Sequence, residues 1–554
     1  PPPPPPAPAP SPGPSAAVEL DWAPCGEGPG ECATLLAPLD YADPDGRQTP
    51  VALVRFPADN PSARIGSLVV NPGGPGGSGI DLAASLAPYL PKPLAERFDL
   101  VGFDPRGVGA SAGIRCDPHR GQGAPLELEA RQRWFGELAA ACTAAHGDVL
   151  AHLTTRNTAR DLDRIRAALG EPKLTYLGFS YGTLLGAVYA QLFPGNVRAL
   201  VLDGADPDIG PRQRLSDQAV AFEVALVRFA RACGLEAAVC PIADPGALEV
   251  WDRLAARAAR SPIPAADPAL AGRRLGPAEL RNGTISAMYG GALSWPDLAE
   301  GLDAAYRSND ASLLLRFAGA VGEPNPDLPY DNLVEANAAV NCADDPLSLG
   351  VAEVAALVRQ VEAAAPRFAL SVVGDLLLCR SWPQPAEARP PLRAAPGAPA
   401  LVIGNHHDPA TPHAWAKTLA EQVNPSRLLS FRGDGHTVVL TGAACIDDKV
   451  VAYLTTLTLP APGTVCPPPG QLGFGVRSAR QGGVIVTAVV PDGPAEGRIF
   501  EGDVIVAANG APITAAADMP APDEGETVVF RLRRHGAVRD VAVTSRRLPW
   551  FLPD

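Results

Sequence analysis

The fold is decided by one stretch, Thr175-Tyr176-Leu177-Gly178-Phe179-Ser180-Tyr181-Gly182. It is a short apolar run that ends in G-x-S-x-G and continues into an apolar helical run, 183–193. On a tight turn between a strand and a helix, a serine projects its hydroxyl from the sheet edge, and the two glycines allow the close approach. The helix N-terminus offers positive potential to an oxyanion. This order predicts that Ser180 is a nucleophile.

Strands and helices alternate on either side of this stretch. Apolar runs at 67–70, 98–103 and 199–202 indicate buried strands, and they predict an α/β fold with a mostly parallel, doubly wound sheet. Between them and later strands, helical periodicity dominates and predicts an inserted helical cap. The predicted divisions are a Pro-rich tether (1–20), a first core part (21–207), the cap (208–394), a second core part (395–466) and a small β-rich domain (467–554).

Composition excludes several classes of function. The net charge of −14 argues against a nucleic-acid partner, and no stretch has the roughly 18 uninterrupted apolar residues of a membrane span. No signal peptide is visible, and the chain opens on proline, so we interpret it as a mature or trimmed form that follows a cleaved leader or an anchor.

Ten cysteines are present without any C-x-x-C pair, and their spacings match no zinc site, so no metal or other cofactor is expected. Their even number suits disulfides and an oxidising compartment, which predicts a secreted or periplasmic protein. Ten free thiols are the alternative. Pairing of sequence neighbours is the simplest arrangement, but other pairings stay open: 25–32, 116–142, 233–240, 342–379 and 445–466.

A serine nucleophile needs a base and an acid that orients it. Asp408 lies after the strand-like run 400–404, and His436 lies after the run 427–431. Ser180, Asp408 and His436 therefore have the chain order Ser, Asp, His that is typical of a nucleophile on a strand–turn–helix.

Three alternatives to this triad are weaker. Asp434 could serve as the acid, but it lies only two residues before the histidine and would point elsewhere in an extended segment. His407 as the base would break the chain order. His406 and His407 beside Asp408 suggest a metal site, but no H-E-x-x-H or distant ligand set accompanies them.

A glycine-rich loop, 71–79, follows the run 67–70 and reads NPGGPGGSG. A phosphate-binding loop would need a lysine that is missing here, so the backbone N–H groups favour an oxyanion loop over a mere turn. Asp104 and Arg106 are expected to brace their own loop as an ion pair.

Several motifs occur together in one order: NPGGPGGSG, GFDPRGVGAS, TTRNTARDLDRIRAALGE, LGFSYGTLLGAVYAQLFP, VLDGADP, AVNCADDP, CRSWP, DPATP and GDGHTVV. Over about residues 20–466 the chain resembles the secreted tripeptidyl-aminopeptidase and proline-iminopeptidase-like branch of the α/β-hydrolases. The resemblance implies an α/β-hydrolase fold that hydrolyses a peptide bond near a free N-terminus. Asn71-Pro72 replaces part of the iminopeptidases' His-Gly-Gly-Pro-Gly run, which weakens any claim to proline specificity.

The resemblance also implies site residues. The backbone N–H groups of Gly74 and Tyr181 are the implied oxyanion donors. Carboxylates in or near the cap recognise the substrate amine in this group, and Glu335, Asp344 and Asp345 are the candidates here. Their alternative role is a helix end or a solvated face.

The segment 467–554 resembles a PDZ domain of the type attached to bacterial periplasmic proteases. Such a domain binds a peptide by strand addition and captures its terminal carboxylate on loop amides, here at Leu472, Gly473 and Phe474. The alternative is a domain that packs on the hydrolase as a structural lid.

Three functions stay open from the sequence. The first is a secreted serine aminopeptidase acting on peptides with free N-termini, and the second is a carboxylesterase, since acyl transfer uses the same triad. The third is a catalytically idle protein that binds peptides through the PDZ domain, against which an intact triad argues.

Overall fold

The computed structural model describes residues 20–26, 28–119, 123–319, 332–387, 389, 391–393 and 397–468, and in the C-terminal domain residues 472–478, 483–489, 493–514, 518–520, 522, 525–534, 536–546, 550 and 552. The predicted tether lies outside these residues except for Leu20.

Twelve strands precede the C-terminal domain in the described residues: β1 (Ala23–Pro24), β2 (Glu31–Pro38), β3 (Gln48–Phe56), β4 (Gly66–Asn71), β5 (Phe98–Phe103), β6 (Leu174–Phe179), β7 (Val197–Asp203), β8 (Ile263–Pro264), β9 (Arg274–Leu275), β10 (Ala400–His407), β11 (Ser426–Asp434) and β12 (Val465–Cys466). Ten form one sheet, in the order β1-β2-β3-β5-β4-β6-β7-β10-β11-β12, and β8 pairs with β9. Pairing is antiparallel from β1 to β5 through β3 and parallel from β5 onward. The predicted mostly parallel sheet is confirmed.

The central strands are continuous apolar runs because helices cover both faces of the sheet. Every residue of β4, β5 and β6 is buried. One apolar core lies on each face, and a third fills the helical segment between β7 and β10. The helices are α1 (Gly79–Leu86), α2 (Lys92–Ala95), α3 (Leu128–His146), α4 (Thr155–Ala168), α5 (Tyr181–Leu192), α6 (Pro211–Leu235), α7 (Ala247–Arg260), α8 (Pro277–Tyr289), α9 (Trp295–Arg307), α10 (Ser312–Gly319), α11 (Leu333–Asp344), α12 (Val351–Val361), α13 (Ala369–Val373), α14 (His413–Gln422) and α15 (Ala444–Thr456).

The segment between β7 and β10 is helical from α6 to α13, apart from the short strands β8 and β9, as the periodicity predicts. Local signals set the ends of α8: Pro277 supplies its first turn, and the Gly276 amide donates to the Glu279 carboxylate at 2.9 Å. Short 3-10 turns connect several elements, and the turn Gly291–Leu293 joins α8 to α9.

Five disulfides join sequence neighbours: 25–32, 116–142, 233–240, 342–379 and 445–466. The simplest pairing from the spacing is therefore confirmed. None of the described helices has the length and apolar character that crossing a bilayer requires.

The predicted ion pair between Asp104 and Arg106 is wrong. Arg106 is buried and forms a bidentate pair with Asp161 at 2.6 and 2.7 Å. Asp104 instead accepts hydrogen bonds from the Ser78 hydroxyl at 2.6 Å and the Ala110 amide at 2.9 Å. The guanidinium reaches a helix 55 residues away, which sequence adjacency does not reveal.

The C-terminal domain is an antiparallel sheet in the order β13-β14-β15-β17-β18, with β16 paired to β15. Its strands are β13 (Phe474–Ser478), β14 (Val484–Val489), β15 (Val504–Ala508), β16 (Ala511–Pro512), β17 (Thr527–Arg534) and β18 (Ala537–Thr544). Beyond β18, Trp550 stacks on Phe229 of α6 with ring centroids 6.1 Å apart, and Leu552 is buried in the same cap core.

Candidate active site

Ser180 lies between β6 and α5 with φ +54° and ψ −127°. A left-handed backbone at a residue with a side chain is strained by about 1–3 kcal/mol, and such strain collects at functional sites. The turn is held by the Ser180 amide, which donates to the Asp203 carbonyl at 2.8 Å, and by the Thr183 hydroxyl, which donates to the Ser180 carbonyl at 2.6 Å. The backbone therefore fixes the hydroxyl-bearing residue at the carboxyl end of β6.

Two glycines let this turn close. A Cβ on Gly178 would lie 2.4 Å from the Gly182 carbonyl oxygen, and a Cβ on Gly73 would lie 2.4 Å from the Phe179 carbonyl oxygen. Real Cβ atoms do not approach oxygen that closely, so only glycine fits at either position. A Cβ on Gly73 would also lie 2.9 Å from the Tyr181 amide nitrogen, so the glycine-rich loop packs against the first turn of α5.

The glycine-rich loop presents a backbone donor beside Ser180. The Gly73 amide is occupied, because it donates to the Asn71 side-chain oxygen at 3.0 Å. Within the described residues, the Gly74 and Tyr181 amides donate to no protein acceptor. The Gly74 amide follows Gly73, which packs on Ser180, and the Tyr181 amide follows Ser180 in the chain, so both N–H groups remain candidate oxyanion donors.

Asp408 and His436 are in direct contact. The His436 Nδ1 atom lies 2.9 and 3.0 Å from the two carboxylate oxygens. The carboxylate also accepts the Ala410 and Thr411 amides, each at 2.8 Å, and the Thr411 hydroxyl at 3.0 Å. These bonds fix Asp408 so that it can fix the imidazole.

Burial lowers the pKa of His436, but the adjacent Asp408 charge and hydrogen bond, with help from Asp203 and Asp206, leave that pKa above its ordinary value. The Nε2 atom is buried and has no hydrogen-bond partner among the described residues. The imidazole is thus oriented on one nitrogen and unoccupied on the other.

Ser180 and His436 border the same pair of residues. The Asp203 carbonyl accepts the Ser180 amide, and a Cβ on the next residue, Gly204, would lie 3.1 Å from the His436 Cε1 atom. No hydrogen bond joins the Ser180 hydroxyl to Nε2 in the described structure.

Asp203 is a site residue that the sequence reasoning missed. Its carboxylate Oδ2 accepts the Val438 and Val439 amides, both at 2.7 Å, and its Oδ1 is buried without a partner in the described part of the chain. Burial raises its pKa to about 6, against the pull of those amides and of His436. This residue ties the loop that carries the imidazole to the turn that carries Ser180. The only sequence signal was an aspartate at a strand's end.

The alternative residues are engaged elsewhere. Asp434 forms a bidentate pair with Arg228 of α6 at 2.5 and 2.9 Å, so it anchors the cap and not the imidazole. The His406 ring packs against His413 at 4.5 Å. Across the described residues, no three His, Cys, Asp or Glu side chains converge as a metal site would require.

The three candidate amine-binding carboxylates differ in their surroundings. Asp344 accepts the Thr155 amide at 2.9 Å as well as its hydroxyl, and Asp345 pairs with Arg389 at 3.3 Å. Glu335 is 4% exposed, and the structure records no hydrogen bond or ion pair for it among the described residues.

Glu335 also lies on the element that covers the oxyanion loop. A Cβ on Gly74 would lie 3.4 Å from Leu333, and Asn337 donates to the Pro75 carbonyl at 3.1 Å. Leu333, Glu335 and Asn337 all belong to the first turns of α11, so the helical segment that carries Glu335 packs against the glycine-rich loop.

The predicted carboxylate loop of the C-terminal domain is described only from Leu472 onward. Gly473 has φ +77°, and a Cβ there would lie 2.7 Å from Pro494, so the turn requires glycine. Phe474 begins β13, the outermost strand of its sheet, and packs against Phe530 with ring centroids 5.5 Å apart.

Comparison with known proteins agrees with this architecture. Residues 66–234 match the model of the α/β-hydrolase fold, residues 365–466 match that of TAP-like proteins, and residues 465–524 match that of the PDZ domain.

Three relatives align over most of this chain. The serine protease Hip1 of Mycobacterium tuberculosis is 39% identical over 81% of this chain and 91% of its own length. Carboxylesterase B of the same species is 35% identical over 79% and 86%, and the tripeptidyl aminopeptidase of Streptomyces lividans is 34% identical over 82% and 88%. The chain therefore belongs to the α/β-hydrolase family of these relatives, the tripeptidyl-aminopeptidase-like serine hydrolases, and carries a C-terminal PDZ domain.

Proposed function

We propose that the protein is a secreted or periplasmic serine peptidase that cleaves peptides near a free N-terminus through Ser180, His436 and Asp408. The observation that carries the proposal is the His436 imidazole. Asp408 holds its Nδ1 side, and its Nε2 is buried without a described partner beside the residues that hold the Ser180 turn. A serine nucleophile requires a base oriented in this way.

The chemistry follows from the positions of these groups. His436 Nε2 accepts the proton of the Ser180 hydroxyl as its oxygen attacks the scissile carbonyl, and Asp408 stabilises the imidazolium. The Gly74 and Tyr181 amides receive the oxyanion. The imidazolium then donates its proton to the leaving amine. In the second half of the reaction water attacks the acyl-enzyme, with His436 again as the base, and the Ser180 oxygen leaves and takes the proton back.

Glu335 is the carboxylate that best fits the substrate amine. Glu335 is largely buried and no described cation pairs with it, so a substrate amine would supply its positive partner. Asp344 and Asp345 already have hydrogen-bonding or cationic partners within the protein, so they support the site instead. The name of the Streptomyces relatives, tripeptidyl aminopeptidase, supports the same substrate class.

The compartment and the PDZ ligand complete the proposal. Five disulfides favour an oxidising environment. The outermost strand β13 and the Leu472–Phe474 turn are suited to add a C-terminal peptide as a further strand.

The test compares a tripeptide anilide with a free amine against its acetylated form. We expect a preference of about 100-fold for the free amine, because leaving a buried carboxylate unpaired costs about 3 kcal/mol. Glu335→Gln should abolish the preference, whereas Glu300→Gln, exposed on α9, should keep it. Ser180→Ala should lower kcat by about 10⁶-fold and abolish fluorophosphonate labelling. Undiminished hydrolysis by Ser180→Ala would refute the triad.

A carboxylesterase is the second candidate, because one relative bears that name at 35% identity. An esterase has no need of a free amine, so equal rates on the free and acetylated substrates, with Ser180 still required, would favour it. A protein that fluorophosphonate does not label but that still binds C-terminal peptides would instead favour a binding function.

A further inference from the structure

One turn of the cap is seated directly on the segment that carries the base. The Tyr289 carbonyl, at the end of α8, accepts the His436 amide at 2.8 Å. The turn continues through Gly291, which has φ +56° and whose Cβ would lie 2.5 Å from the Asp434 carbonyl oxygen. This cap turn, 289–293, is therefore held in place by backbone contacts that do not depend on its side chains.

Two side chains of the cap turn, Tyr289 and Leu293, are largely apolar and exposed. The Tyr289 ring meets the His436 ring edge-on, with centroids 5.0 Å apart, yet the residue is 41% exposed. Leu293, at the other end of the turn, is 68% exposed. Covering exposed apolar surface with an apolar group of a ligand is favourable, because it removes that surface from water.

The chemistry of acyl transfer indicates which part of the substrate lies near the cap turn. The imidazolium must donate its proton to the leaving amine, so the leaving group lies on the side of His436 away from the oxyanion donors. In the proposed mechanism the acyl group lies toward the glycine-rich loop, against which α11 packs. The cap turn contacts the imidazole through the Tyr289 ring, so a leaving group held at His436 has this ring as a neighbour.

We propose that Tyr289 and Leu293 form the subsite for the residue that follows the scissile bond and that they select an apolar side chain there. The inference rests on the proposed peptidase function and deepens it, because it names a substrate feature that the triad does not determine.

The test uses tetrapeptides that share one N-terminal tripeptide and end in leucine or serine. We expect wild-type kcat/KM to favour leucine by about 10-fold or more, the discrimination that an apolar pocket provides. Leu293→Ser and Tyr289→Ser should each reduce that ratio severalfold. Tyr289→Phe, which keeps the ring, should retain it, and so should Leu235→Ser, a 64% exposed residue seven positions beyond the Arg228 contact on α6.

A second readout separates selection from general damage. The leaving group has departed from the acyl-enzyme, so deacylation measured with a common tripeptidyl ester should be the same in wild type and in Leu293→Ser, which does not alter the ring against His436. If Tyr289→Ser does not fold, Leu293→Ser decides alone. A wild type that hydrolyses both tetrapeptides with a ratio unmoved by Leu293→Ser would overturn the subsite but not the peptidase. A wild type that neither labels with fluorophosphonate nor hydrolyses either tetrapeptide would overturn the peptidase itself.

Discussion

Replacing Asp203 with asparagine should remove a loss of stability that the wild-type protein undergoes as the pH rises, and it should make the protein less active. Burial raises the pKa of Asp203 from its ordinary value of 3.8 to about 6. At about 1.4 kcal/mol per pH unit, keeping this carboxylate charged in the folded state costs about 3 kcal/mol. Asparagine removes the charge, while its side-chain oxygen can still accept the Val438 and Val439 amides.

The sign of the stability change follows from the linkage between proton binding and folding. A carboxyl group whose pKa is raised on folding leaves stability unaffected below pH 3.8, lowers it progressively between pH 3.8 and about 6, and lowers it fully above that range. The asparagine amide adds a buried donor without a partner, and this cost is the same at every pH. The stability of Asp203→Asn relative to wild type should therefore rise by about 2.5 kcal/mol between pH 4 and pH 8.

Urea unfolding of the oxidised chain, followed by tryptophan fluorescence at pH 4, 5, 6 and 8, measures this change. The activity profile gives a second check, because the Asp203 charge helps to raise the pKa of His436. The acidic limb of kcat/KM should move to lower pH in the variant, and its maximum should fall. A stability difference that is constant with pH, or an acidic limb that moves upward, would refute the assignment of a charged Asp203.

Three further predictions follow from single contacts. Asp408→Asn should lower kcat by about 10⁴-fold with little loss of stability, as expected when a base loses its orienting acid, and steady-state kinetics on the anilide would show it. Gly73→Ala should abolish fluorophosphonate labelling, because its Cβ would lie 2.4 Å from the Phe179 carbonyl oxygen; normal labelling would contradict the packing. Trp550→Ala should lower the free energy of unfolding of the cap by about 3 kcal/mol through the lost contact with Phe229, and unchanged thermal unfolding would argue that the contact contributes nothing.

Much of this protein could be predicted from local patterns. The alternation of apolar runs indicated a mostly parallel sheet, and periodicity indicated the helical segment between β7 and β10. Short cysteine spacings suggested the observed disulfides. Each of these features depends on residues close together in the chain, where spacing alone determines which groups can meet.

The charged partners could not be predicted in this way. Asp434 meets a guanidinium 206 residues away, and Asp344 meets an amide 189 residues away, so only the packed chain reveals these partners. The same packing leaves Glu335 buried without a recorded partner and places Asp203 under the imidazole loop. The sequence by itself determined the elements and their order, because these depend on backbone preference and apolar periodicity. Tertiary structure decided which charges are paired, because burial and long-range contact set their environment.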